Sequence, residues 1–174
     1  LWTYLMVAYA ILYKADKFQC FSVFSISTVL SFFITRWSAL KYATAGPVFY
    51  QPEFFNIAGT VSSETQRMLL LYMSGEITQN GFIPGTMGMP SLHVGLTVIA
   101  TWLLACHARW TLWLTIPLTC LIFLSTIMLG WHYILDGIGG VAVAGISMTF
   151  AHGLLKMMES ASSLISTSGL QADD

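Results

Sequence analysis

Charge is what this chain has least of. Only 9% of its 174 residues are Asp, Glu, Lys or Arg, against about 25% in a soluble domain, so water is not its main solvent. Seven Lys and Arg against eight Asp and Glu leave a net charge of -1. That balance excludes the basic surface a nucleic-acid backbone requires, and no nucleic-acid partner is expected. Cysteine is as sparse: Cys20, Cys106 and Cys120 all sit inside apolar runs. An odd count without paired spacing excludes a disulfide framework and a zinc ribbon, so these thiols read as small apolar side chains. What remains is hydrophobic, 56% of the chain.

About 20 apolar helical residues cross about 30 Å of hydrocarbon. Five segments approach that length: Leu1 to Tyr13, which looks clipped; Phe18 to Thr35, extending towards Tyr42; Leu92 to Cys106; Thr111 to Trp131, with Pro117 as a tolerated kink; and Tyr133 to about Leu155. Each is expected to be helical, because lipid offers no partner to an open backbone. The fold class is therefore an all-α integral membrane protein, a bundle of about five to six transmembrane helices. Residues 1–158 read as one catalytic transmembrane domain, N-terminally truncated to judge from its apolar start. The polar, Ser-rich stretch 159–174 is expected to be a disordered tail.

Cations set the orientation, since cytoplasmic loops retain Lys and Arg. Lys14 and Lys17, then His107 and Arg109, then Lys156 fall on one side by alternation, with Arg36, Lys41 and Arg67 towards the other. The longest connection, about Gly46 to Met89, lies on the outer, extracytoplasmic side. Within it Ser63 and Gln66 form a capping box, Met68 to Met73 is an apolar run, and Gly75 is a helix stop, which together predict a short interfacial helix.

Between Glu76 and Glu159 there is one carboxylate, Asp136. An ionisable group at a helix centre costs about 2.5–3.5 kcal/mol on insertion scales and calls for a reason. His132 lies four residues earlier, so a helical turn sets the two on one face, where a carboxylate can fix the imidazole's tautomer and stabilise its charged form. A second cluster, Pro90-Ser91-Leu92-His93, opens a helix. Ser91 is a natural N-cap, and the free N–H groups behind it make an anion site. Alternation brings His93, His132 and Asp136 to one membrane face. A structural pair and a zinc site are the rival readings of these residues, although the paired-ligand spacing of a zinc helix is missing. His107 and His152 read as packing residues, and Gly137, Gly139, Gly140 and Gly145 as close-packing positions.

Pro90-Ser91-Leu92-His93 and Ser125-Thr126, five residues, then His132-Tyr133-Ile134-Leu135-Asp136 resemble the second and third motifs of the type 2 phosphatidic acid phosphatase superfamily. The leucine in the former segment and the His-Tyr-x-x-Asp form of the latter most closely resemble its inositolphosphotransferase-like branch, which includes inositol phosphorylceramide synthases. The resemblance covers roughly Gly88 to Gly145. It implies that His132 attacks phosphorus, Asp136 orients it, His93 protonates the leaving oxygen and Ser91 contacts phosphate, with no metal or other cofactor. A membrane lipid is the implied substrate, with an alcohol or inositol-type acceptor where the reaction is a transfer. Two features depart from the pattern: Thr126 stands where many members carry arginine, and the first, Lys and Arg-Pro motif is not intact. Lys41 and Arg67 are phosphate-clamp candidates by position and charge. The rival function is a catalytically inactive member serving as a lipid-binding or assembly subunit.

Overall fold

Among the residues described by the structure, a computed structural model covering 2–14, 18–42, 45–55, 59–76 and 89–170, every regular element is a helix. Six are α-helices: α1 (Trp2–Lys14), α2 (Phe18–Lys41), α3 (Val61–Met73), α4 (Leu92–His107), α5 (Leu112–Met128) and α6 (Ile134–Leu170). The expected apolar segments form helices, with most boundaries shifted by a few residues and the last helix running well beyond Leu155. Phe18–Ala39, Arg109–Met128 and Ile134–Ser163 are long and apolar enough to cross a membrane. α4, at 16 residues, rises only about 24 Å, and α1 has 13 residues. The chain is thus an all-α membrane bundle with three long spans, two shorter apolar helices and α3.

α4 is the axis of the bundle. Its Leu96, Ile99, Ala100, Leu103 and Leu104 are buried against Leu5 and Ala8 of α1, Val23 and Phe24 of α2, and Ala144 and Ala151 of α6. The outer surface is the reverse of a soluble protein's: Phe33, Trp113, Leu121 and Ile146 are all more than half exposed. Such a surface suits lipid and would aggregate in water. Since lipid is as apolar as leucine, the helices are held by small residues and polar contacts instead. Ser31 Oγ donates to Ser147 Oγ at 2.9 Å across α2 and α6. Tyr4, Thr101 and Thr119 link α1, α4 and α5 through contacts of 2.8 and 2.9 Å. Bonds of this kind average about 0.6 kcal/mol in membranes, so several are needed.

Two expectations are corrected. The polar stretch from Glu159 is helical as far as Leu170, continuing α6, because Lys156 to Ser168 contain neither proline nor glycine to stop it. The expected short helix exists as α3, but its N-terminal cap is Thr60, not Ser63. Thr60 Oγ1 accepts the Ser63 amide at 3.1 Å, so the helix starts ahead of the supposed capping box and frees Gln66 for another use. Gly75, at φ 78°, ends α3 as expected, with the Glu76 amide reaching back to Leu71 O at 3.0 Å. Lys17, the loop stretch 77–88 and the final 171–174 lie outside the described residues.

Candidate active site

The site begins with the way α5 ends. Gly130 takes φ 69°, the left-handed conformation glycine adopts without a Cβ penalty. The Gly130 amide then bonds Ile127 O at 2.9 Å and the Trp131 amide bonds Thr126 O at 3.0 Å, the pairing of a Schellman stop. The next amide, that of His132, also reaches Thr126 O, at 3.2 Å. The reversal delivers His132 to the corner between α5 and α6. Thr126, where the resembled motif has arginine, is buried with its hydroxyl on Phe123 O at 2.7 Å; its place is inside the corner.

Asp136 lies in the first turn of α6. Its Oδ2 accepts the Tyr133 amide at 2.9 Å, closing the helix start as a back-bonding carboxylate does, and meets His132 Nδ1 at 3.3 Å. A carboxylate only accepts, so Nδ1 carries the proton and Nε2 keeps its lone pair. Both residues are buried, at 8% and 6% exposure. Burial holds the His132 imidazole below its ordinary range, and the hydrogen bond and charge of Asp136 pull the other way.

α4 enters beside this pair because it crosses α6 at glycines. A Cβ on Gly95 would lie 3.0 Å from Gly140 O, and one on Gly140 would overlap the Ser91 carbonyl and sit 3.1 Å from the Gly95 nitrogen. The approach lets the Ser91 amide donate to Asp136 O at 2.8 Å. It also sets the His93 and His132 rings 6.3 Å apart, centroid to centroid, at 60°. His93 is exposed at the mouth, and its imidazole has no hydrogen-bond partner among the described residues. Ser91 is the N-cap of α4, yet its side chain makes no cap bond. The hydroxyl is enclosed, with the residue 1% exposed, and has no partner. Beside it the first amides of α4 have no acceptor within the helix.

A collar of loops closes on the same corner. Val48 N donates to Gly130 O at 3.2 Å, and a Cβ on Gly130 would lie 2.6 Å from that of Val48. Gly46 packs on the Trp131 carbonyl. From α3, Gln66 Nε2 donates to Leu129 O at 2.9 Å, and Ser62 Oγ accepts from Trp131 Nε1 at 2.6 Å. Sequence reasoning missed these positioning contacts. Gly130 carried a signal, a glycine closing an apolar run just before a histidine; Gln66 and Ser62 carried none, since their partners are more than 60 positions away.

The structure therefore gathers His93, His132, Asp136 and Ser91, and gives the two cation candidates partners of their own. Lys41 Nζ sits 5.9 Å from the Trp37 ring. Arg67 is exposed and ion-paired with Glu64 at 2.9 Å on its own helix. Neither is a hydrogen-bond or ion-pair partner of the histidines or Asp136. Among the described residues no group of three or more His, Cys, Asp or Glu is placed to hold a metal ion.

An imidazole with a free Nε2, a carboxylate behind it and a second imidazole across a gap at a helix N-terminus make a centre suited to nucleophilic and acid–base chemistry on an anionic group, set in a membrane helix bundle. The family model of the PAP2 superfamily matches residues 1–150, and the chain belongs to that superfamily. Membership supports a function of the lipid phosphatase or phosphotransferase type. No curated protein and no solved structure matches the chain.

Proposed function

We propose that the chain is a lipid phosphatase or phosphotransferase working through a phosphohistidine on His132, without a metal or other cofactor. His132 Nε2 attacks the phosphorus of a lipid phosphate, phosphodiester or diphosphate. The P–O bond to the lipid breaks as the N–P bond forms, and His93 gives its proton to the leaving oxygen. Asp136 holds Nδ1–H and stabilises the imidazolium. In the second half, an acceptor oxygen from water, an alcohol or an inositol-type ring attacks phosphorus, its proton passes to His93, and the N–P bond breaks. The phosphate oxygens rest on the Ser91 hydroxyl and the first amides of α4, where the helix dipole favours an anion. Lys41 and Arg67 are candidates, by position in the sequence and by charge, to add a cation as substrate enters. The branch resembled in the sequence favours transfer over hydrolysis, and the cation pattern favours a site on the extracytoplasmic face.

The observation that carries this reading is the buried His132–Asp136 pair with the exposed His93 ring 6.3 Å from His132. The test is turnover of a mixed lipid-phosphate panel and of an activated aryl phosphate by the wild type, His93→Ala and His132→Ala, in chelator, with label followed on the protein. His93→Ala is expected to lose about 10²–10⁴-fold on lipid alkoxide leaving groups and to be partly rescued by the aryl phosphate. His132→Ala is expected to form no labelled enzyme with either. Label on His132→Ala, or its rescue by the aryl substrate, overturns the assignment. A wild type inactive on the whole panel supports the second reading, an inactive lipid-binding or assembly subunit, which is favoured by Thr126 in the arginine position and by the pairing of Arg67 with Glu64.

A further inference from the structure

At the other end of α4, away from His93 and His132, a groove of about 510 Å³ runs between α4 and α5. Its volume is in the range of ligand pockets, about 300–1,000 Å³. Val98, Trp102, Ala105 and Ile116 form its apolar walls, and Thr101 and Thr119 its floor. Those two hydroxyls bond one another at 2.9 Å, and Thr101 also meets the Tyr4 hydroxyl at 2.8 Å, so each has a partner within the protein. Along α4 the groove extends from Val98 to the Arg109 end, roughly 15 Å at the helical rise, or half of a ~30 Å hydrocarbon core. That is the depth of one leaflet.

Arg109 lines the mouth. It is exposed, and no carboxylate pairs with it among the described residues. Trp110 and Trp113, 73% and 86% exposed, flank it as interfacial tryptophans do. An apolar groove in a bilayer gains little from an acyl chain as such, because the chain leaves equally apolar surroundings. Selectivity has to come from the cation, and an unpaired arginine at headgroup depth selects a phosphate bearing net negative charge.

We propose that this groove holds one acyl chain of an anionic phospholipid from the leaflet opposite the histidine site, with the lipid phosphate on Arg109. The site is separate from the proposed chemistry and stands whether or not the chain turns over substrate. Trp102, within the groove, is the reporter. The protein is reconstituted in phosphatidylcholine vesicles carrying a minority of either brominated phosphatidylglycerol or brominated phosphatidylcholine, and the quenching lost in Trp102→Phe is assigned to Trp102. The expected preference for phosphatidylglycerol is roughly fivefold, the ~1 kcal/mol contributed by one cation near the surface. It is expected to vanish in Arg109→Gln and persist in Arg109→Lys, and Ala105→Phe is expected to reduce quenching by both lipids. Equal quenching by the two lipids, or a preference that survives Arg109→Gln, reduces the groove to ordinary annular contact and overturns the proposal. So does a wild-type dimer that excludes both lipids and becomes monomeric with Ala105→Phe, since the groove then belongs to a second copy of the chain.

Discussion

The α4–α6 crossing makes a sharp demand of Gly140. In Gly140→Ala the new methyl overlaps the Ser91 carbonyl and meets the Gly95 nitrogen at 3.1 Å and Val94 Cβ at 3.3 Å. Two of these are backbone atoms that no rotamer change can move, so α4 and α6 must part. Relief takes a displacement of about 1 Å, and misplacement on that scale costs about 10²-fold in rate. Overpacking adds about 1–3 kcal/mol of destabilisation. Five positions on, Gly145 has nothing within 4 Å of its would-be Cβ, so Gly145→Ala keeps only the helix-propensity gain of up to about 1 kcal/mol. Turnover per folded molecule is measured for both variants beside the wild type, with folded protein quantified by monodisperse elution in detergent. Gly145→Ala is expected to match the wild type and Gly140→Ala to fall about a hundredfold. Equal activity in the two variants refutes the claim that this crossing sets the distance between His93 and His132.

Three further outcomes are expected. If His132 attacks as a neutral imidazole, as proposed, kcat/KM falls as the medium is acidified through its pKa; Asp136→Asn removes a contribution that raises that pKa, and its acid limb should move to lower pH while the maximum rate drops, an upward move refuting the role. Gln66→Leu deletes the bond from α3 to Leu129 O, at a cost of about 1 kcal/mol for a hydrogen bond to a partly buried carbonyl; hydrogen exchange of the α3 amides should quicken, and unchanged protection means that α3 is held otherwise. In a background lacking Cys20, Cys106 and Cys120, single cysteines at Tyr133 and Trp110 should be labelled by an impermeant thiol reagent from opposite sides of the membrane, Tyr133 from outside, and labelling of both from one side ends the topology.

What the sequence made legible was whatever depends on nearby residues. Apolar runs marked the helices, i to i+4 spacing paired His132 with Asp136, and alternation of spans brought Ser91 and His93 to the same end. The failures share a cause. Ser63 and Gln66 match a capping box, but Thr60 three residues earlier competes for the same amide and wins, and only the fold gives Gln66 its partner at Leu129. Lys41 and Arg67 were placed by position and charge, and neither reveals that Glu64 one turn away claims Arg67 first. Ser91 has the sequence of a cap, yet its hydroxyl is left without a partner. The glycines of α6 are alike in sequence, yet only the crossing with α4 separates a Gly140 that must stay small from a Gly145 that need not.

Asp136 belongs as much to the architecture as to the chemistry, because one oxygen both closes the start of α6 and meets His132. A descendant of this chain that had abandoned turnover would still need that carboxylate to begin its last helix, and His132 would be retained as the carboxylate's buried neighbour. His93 has no such second employment: its ring bonds to nothing among the described residues. The informative position for telling a working member from a silent one is therefore the mouth histidine, since it is the member of the trio that the scaffold can lose without being disturbed.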